Sequence, residues 1–168
     1  MIKYLLVIAL SAVLNLHAST WSFTQKDFQE LNESQKDILK ISYWMGKPHD
    51  LGNVLAAISI VETRAGAYND TSANRICGVH QVDVSVVKEN LGTNSTLKSI
   101  CTALKENHTL SAMVSLQILL YWRDNSRTLK TTLLRYNRGW KYHPSDDEFY
   151  RRYVMTLRVL EKNDLSKL

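Results

Sequence analysis

A chain of 168 residues suits one domain with a buried core, and six glycines and two prolines against abundant Leu, Ile and Val disfavour a strand-and-turn protein and predict an all-α one. The net charge of +5 points to an anionic partner such as an acidic wall polymer or a membrane surface. No nucleic-acid motif accompanies the charge, and the five histidines have no ligand spacing with cysteine or with one another, so neither nucleic acid nor a metal or other cofactor is expected.

The N-terminus, "MIKYLLVIALSAVLNLHAS", carries one lysine, an apolar run from Tyr4 to Leu14 and then the small residues Ala18 and Ser19. It predicts a secretory signal peptide over 1–18, too short to span a bilayer comfortably, and an exported domain over 19–168, periplasmic or extracellular, with no membrane span once the signal is removed. Export changes the reading of Cys77 and Cys101: in an oxidising compartment they pair most simply with each other.

From Thr24 a Thr-x-x-Asp start resembling a capping box opens a helix that carries Phe28, Leu31, Ile38, Leu39, Ile41 and Met45, until Gly46, Pro48 and Asp50 break it. A second helix is predicted over 51–63, with so few polar positions that it must be buried on most sides. Residues 64–83 are rich in turn formers and compatible with a short hairpin within 66–83. Shorter helices are predicted over 84–91 and 96–106, and a strongly apolar one over 109–125. Another over 128–140 is stopped by Asn137 and Gly139. The last opens with a Ser145-to-Glu148 capping box and brings Phe149, Tyr153, Thr156, Leu157 and Leu160 onto one face. No repeat or Pro/Gly linker divides this domain, which is expected to act as a monomer. Its basic residues concentrate in the C-terminal third, from Arg123 to Arg158, as a solvated face or an aid to association with an acidic wall.

Four fragments carry chemistry in order: Glu62-Thr63 at the end of a buried helix, Gly78-Val79-His80-Gln81, Tyr136-Asn137-Arg138-Gly139, and Tyr153-Val154. This order resembles the lytic transglycosylase domain of the soluble-lytic-murein type, with Glu-Ser, Gly-Leu-Met-Gln and Ala-Tyr-Asn-Ala-Gly; the likeness covers about 51–160 and implies a lysozyme-like fold. It also implies that the partner is the peptidoglycan glycan strand, cut between N-acetylmuramic acid and N-acetylglucosamine to leave a 1,6-anhydro end. One carboxyl would serve where most glycosidases use two. The resemblance makes Glu62 that acid, which must hold its proton near neutral pH, with Ile58, Ile60 and Val61 as a dry wall to raise its pKa. It gives Thr63 the family hydroxyl, Gly78 a close backbone approach to the sugar, and Val79 a place in the loop motif. Gln81 would hold the loop or an acetamido group, and Ser72 would sit beside the substrate. Tyr136 would approach the Glu62 carboxyl while Asn137 braces that segment.

The chain departs from the family at His80, where Met is usual, at Arg75, where Gly is frequent, and at Arg135 and Arg138, which flank Tyr-Asn in place of Ala. Asp83 belongs to a Gln-Val-Asp run similar to that of goose-type lysozymes. If Asp83 or Asp70 positioned a water across from Glu62, hydrolysis would replace internal cyclisation. As a helix N-cap, Asp83 would have no part in chemistry. A third reading is a weakly catalytic glycan-binding component of a wall-spanning secretion or phage apparatus.

Overall fold

The computed structural model describes residues 21–68, 75–139 and 146–168. The expected signal peptide, Asp70, Ser72 and the Ser145 cap lie outside the described residues. Eight α-helices and one two-stranded antiparallel sheet make up the described regular structure, apart from two short 3₁₀ turns, so the protein is mainly α with a short hairpin.

The first predicted helix is two. Thr24 caps α1 (Gln25–Gln29) with the expected box, and α2 (Glu33–Gly46) restarts from a second box in which Asn32 accepts from the Gln35 N–H and the Gln35 side chain accepts from the Asn32 N–H. Two complete boxes within twelve residues stop a single rod, because each holds its N-cap residue in extended backbone.

After a 3₁₀ turn (Lys47–His49), Asp50 reverses the chain at φ 59° into α3 (Gly52–Thr63). Gly52 allows this helix to start against α2, since a Cβ there would stand 2.9 Å from the Tyr43 carbonyl oxygen and ring. Nine of the twelve α3 residues are buried. Leu55, Ile58 and Ile60 are fully enclosed, each worth roughly 1.5–3 kcal/mol relative to exposure. The helix is therefore the axis of the main core, packed between α2 and the last long helix, α8 (Asp146–Glu161).

Strands β1 (Ile76–Cys77) and β2 (Val82–Asp83) form the hairpin, pairing Ile76 with Asp83 and Cys77 with Val82. They lead into α4 (Val84–Leu91) and α5 (Leu97–Glu106), and this lobe has a separate small core of Val82, Val84, Val87, Ile100 and Leu104 around the Cys77–Cys101 disulfide. Helix α6 (His108–Asp124) packs on α2, and α7 (Leu129–Arg138) packs on α6 and α8. Among the described residues no helix is long and apolar enough to cross a membrane. Several cations of the C-terminal third have acidic neighbours: Lys130 pairs with Asp147, Arg123 with Asp124 and Arg151 with Glu148.

Candidate active site

Helix α3 ends without a glycine. Arg64 and Ala65 both take the left-handed region, at φ 51° and 52°, a conformation that costs a side-chain-bearing residue about 1 kcal/mol or more. Local bonds hold the turn in place: the Arg64 and Ala65 amides donate to Ile60 and Ser59, and the Gln35 amide of α2 donates to the Arg64 carbonyl at 2.8 Å. Thr63 accepts from the Gly66 N–H at 2.9 Å. Glu62 is thus presented from a rigid helix end, at a pocket of about 260 Å³ lined also by Val61 and Thr63.

The Glu62 carboxyl meets two donors. Tyr153 of α8 donates to Oε1 at 2.7 Å and Asn137 of α7 donates to the same oxygen at 3.4 Å. The hydroxyl that bonds this carboxyl is that of Tyr153. Tyr136, expected to approach the acid, has its phenol pKa pushed up by burial and by the nearby Glu62 charge, but spends its own hydrogen bond elsewhere. Asn137 contacts the acid itself. Burial raises the Glu62 pKa to about 7, against the opposing pull of the Tyr153 and Asn137 hydrogen bonds and of the Arg152 charge. Both donors act on Oε1, which leaves the proton of the neutral acid to Oε2. The Tyr153 phenol is itself held well above its usual range, by burial and by the adjacent carboxyl, so it stays a donor.

The loop motif lies behind the pocket as its support. Thr63 donates to the Val79 carbonyl at 2.8 Å, and Gln81 turns its amide onto the Gly78 carbonyl at 3.0 Å, which is the loop-holding duty. Gly78 has φ 76°, and a Cβ on it would stand 2.9 Å from the Leu104 carbonyl oxygen and 2.7 Å from the Ser111 hydroxyl. The approach made by its Cβ side is therefore to helices, where approach to a sugar was expected.

His80 is wholly buried and bridges two serines, with Nε2 3.0 Å from Ser42 Oγ and Nδ1 3.1 Å from Ser111 Oγ. Ser42 uses its one hydrogen on the Ile38 carbonyl at 2.7 Å, so His80 carries its proton on Nε2 and accepts from Ser111 on Nδ1. Tyr136 donates to the His80 carbonyl at 2.9 Å, which makes the Ser115 hydroxyl, 2.6 Å away, the donor to Tyr136. Residues 78–81 are thereby clamped by α2, α3, α6 and α7 together. Burial and the nearby His108 push the His80 pKa down to about 3, so a neutral imidazole fills the place that the resemblance gives to Met.

Asp83 is an N-cap. Its carboxylate accepts from the Ser85 N–H at 2.9 Å and from Arg75 Nε at 3.2 Å, and these bonds hold its pKa below the usual carboxylate range despite partial burial. Among the described residues lining the pocket, Glu62 is the one carboxylate. No described group of three His, Cys, Asp or Glu side chains is placed to hold a metal ion. The pocket's remaining walls, Trp21, Arg64, Tyr68 and Arg152, escaped the sequence reading. Of these only Arg152 had a local signal, as the neighbour of Tyr153 in a predicted helix.

Removing the Tyr153 hydroxyl takes away a donor that favours the ionised acid. In Tyr153→Phe the Glu62 pKa is expected to rise by about one pH unit, since a hydrogen bond to a charged group is worth roughly 1.5 kcal/mol. A ¹³C titration of the carboxyl measures this, and an unchanged or lower midpoint contradicts the assigned bond.

Glu62 and His80 also make opposite contributions to stability. As pH falls from about 6.5 to 4.5, unfolded histidine takes up a proton that buried His80 refuses, which destabilises the fold. Over the same window Glu62, whose pKa is about 7 in the fold against 4.5 ordinarily, holds a proton that the unfolded chain lacks, which stabilises the fold as pH falls. Urea midpoints of the wild type should stay nearly level there. In Glu62→Gln only the histidine contribution remains, and stability should fall by up to about 1.4 kcal/mol per pH unit. Parallel curves for the two proteins would remove this coupling.

Set against family models, curated proteins and solved structures, the chain matches none of them, so the functional reading rests on the chemistry of this pocket.

Proposed function

We propose that the protein is an exported peptidoglycan lytic transglycosylase, cleaving the β-1,4 bond between N-acetylmuramic acid and N-acetylglucosamine. The observation that carries the reading is the Glu62 carboxyl, desolvated at a pocket and proton-bearing up to a pKa of about 7. In the step proposed, Glu62 passes its proton to the leaving glycosidic oxygen as the anomeric C–O bond breaks. The resulting carboxylate, stabilised by Tyr153 and Asn137, takes the proton of the muramoyl 6-hydroxyl while O6 bonds to the anomeric carbon. The 1,6-anhydro ring closes, the acid is regenerated and no water is consumed.

A goose-type hydrolytic mechanism would call on Asp83 or Asp70; the Asp83 carboxylate is engaged by Ser85 and Arg75, which counts against its positioning a water. The buried Cys77–Cys101 disulfide supports an oxidising compartment and hence export. Mass analysis of muropeptides released from purified sacculi tests the proposal. Anhydro ends are expected. Reducing ends would replace it with a muramidase, and no release would replace it with a glycan-binding component of a larger wall-spanning apparatus.

A further inference from the structure

One part of the pocket has no task in the proton transfers above. Arg64 follows the acid by two residues, and its guanidinium carbon lies 4.6 Å from the centre of the Trp21 ring and 5.0 Å from that of Tyr68. Its Nη1 donates to the Tyr68 hydroxyl at 3.1 Å. All three residues line the pocket beside Glu62, with Arg152 as a second cation, and Tyr68 is 60 % exposed. Among the described residues no carboxylate pairs with Arg64, although it is exposed and its backbone is held by Gln35. A guanidinium resting on aromatic faces loses little water by it and keeps its remaining in-plane N–H groups for a planar anion. The exposed Tyr68 ring and the half-buried Trp21 ring beside the pocket offer an apolar face to a sugar ring. An arginine kept only for surface charge would need neither the two rings nor the pinned turn.

We propose that Trp21, Arg64 and Tyr68 form an acidic-sugar subsite, in which Arg64 takes a carboxylate carried by the sugar that rests against the two rings. This rests on the glycan reading and makes it narrower: the pocket prefers an acidic glycan to a neutral one of equal length. The carboxylate has two sources in such a substrate, the lactyl ether on the sugar itself and the stem peptide attached to it. Arg64 is then a specificity residue, with Arg152 adding to the positive potential.

The test is calorimetry in the Glu62→Gln background, which keeps the ligands intact. The probes are a peptide-free muramoyl tetrasaccharide, its stem-peptide-bearing form, both again with their carboxyls amidated, and a neutral N-acetylglucosamine tetramer. At least one acidic probe should bind about fivefold or more tightly than its amide, in keeping with a partly exposed ion pair, and that preference should weaken with salt. The probe that shows the preference identifies which carboxylate is read. Adding Arg64→Gln should erase the preference, and Arg64→Lys should restore part of it, since charge returns without the fork. Equal binding of acids and amides, or a preference that survives Arg64→Gln, overturns the subsite while leaving the glycan reading in place. Failure of every probe to bind, together with failure of the wild type to cut sacculi, overturns both.

Discussion

Glu62→Gln should reduce glycan cleavage by at least ~10²–10⁴-fold, the usual worth of general acid–base assistance, because no other described carboxylate lines the pocket to take over the proton. The amide is close to the acid in shape and can still accept from Tyr153, so folding and glycan binding should persist. The pH profile follows from the same group. With a pKa of about 7, Glu62 is a competent acid below neutrality and loses the proton it must deliver as pH rises through that value. Cleavage by the wild type should therefore fall on the alkaline side, by about tenfold per pH unit once the acid is largely ionised. Activity of the variant within tenfold of wild type, in a preparation free of contaminating lysozyme, would end the single-acid reading.

Loss of the disulfide should be the largest single effect on stability. Cys77 and Cys101 are 24 residues apart, and closing such a loop constrains the unfolded chain by roughly 3–4 kcal/mol on the chain-entropy account. The pair also sits at the centre of the small hairpin lobe, whose core is a handful of Val, Ile and Leu side chains. In the double variant Cys77→Ala, Cys101→Ala, β1 is no longer tied to α5, while residues 78–81 remain clamped to the main core through Thr63, His80 and Tyr136. Hydrogen exchange should show the helices of this lobe opening before α2, α3 and α8, and the urea midpoint should drop by an amount worth about 3 kcal/mol. Reduction of the wild type by dithiothreitol under mild denaturant should reproduce the loss. A change below about 1 kcal/mol would mean that the lobe's apolar packing suffices without the bond.

The sequence by itself determined where helices run, because the spacing of apolar residues and the caps are local properties. Helices appear at Gly52–Thr63, Val84–Leu91, Leu97–Glu106, His108–Asp124 and Leu129–Arg138, within about two residues of their expected bounds. The break before α2 was also written locally, in Asn32-x-x-Gln35, but the longer apolar pattern concealed it. Glu62 stood out because one acid closed an apolar helix, and the cysteines stood out because there were two of them. Which tyrosine reaches the acid was decided only by tertiary structure. Tyr136 and Tyr153 both lie on predicted helices, and the rotation and crossing of α7 and α8 against α3 turn the first onto the His80 carbonyl and the second onto Glu62. His80 looks like a polar intruder until Ser42 and Ser111, 38 and 31 residues away, arrive to satisfy both ring nitrogens. The pocket wall gathers Trp21, Arg64, Tyr68 and Arg152 across more than 130 positions, and no periodicity in one segment encodes such a meeting. The Glu62 pKa belongs to the same class: the sequence supplies the carboxyl, and the desolvation that raises it exists only once α7 and α8 close over the end of α3.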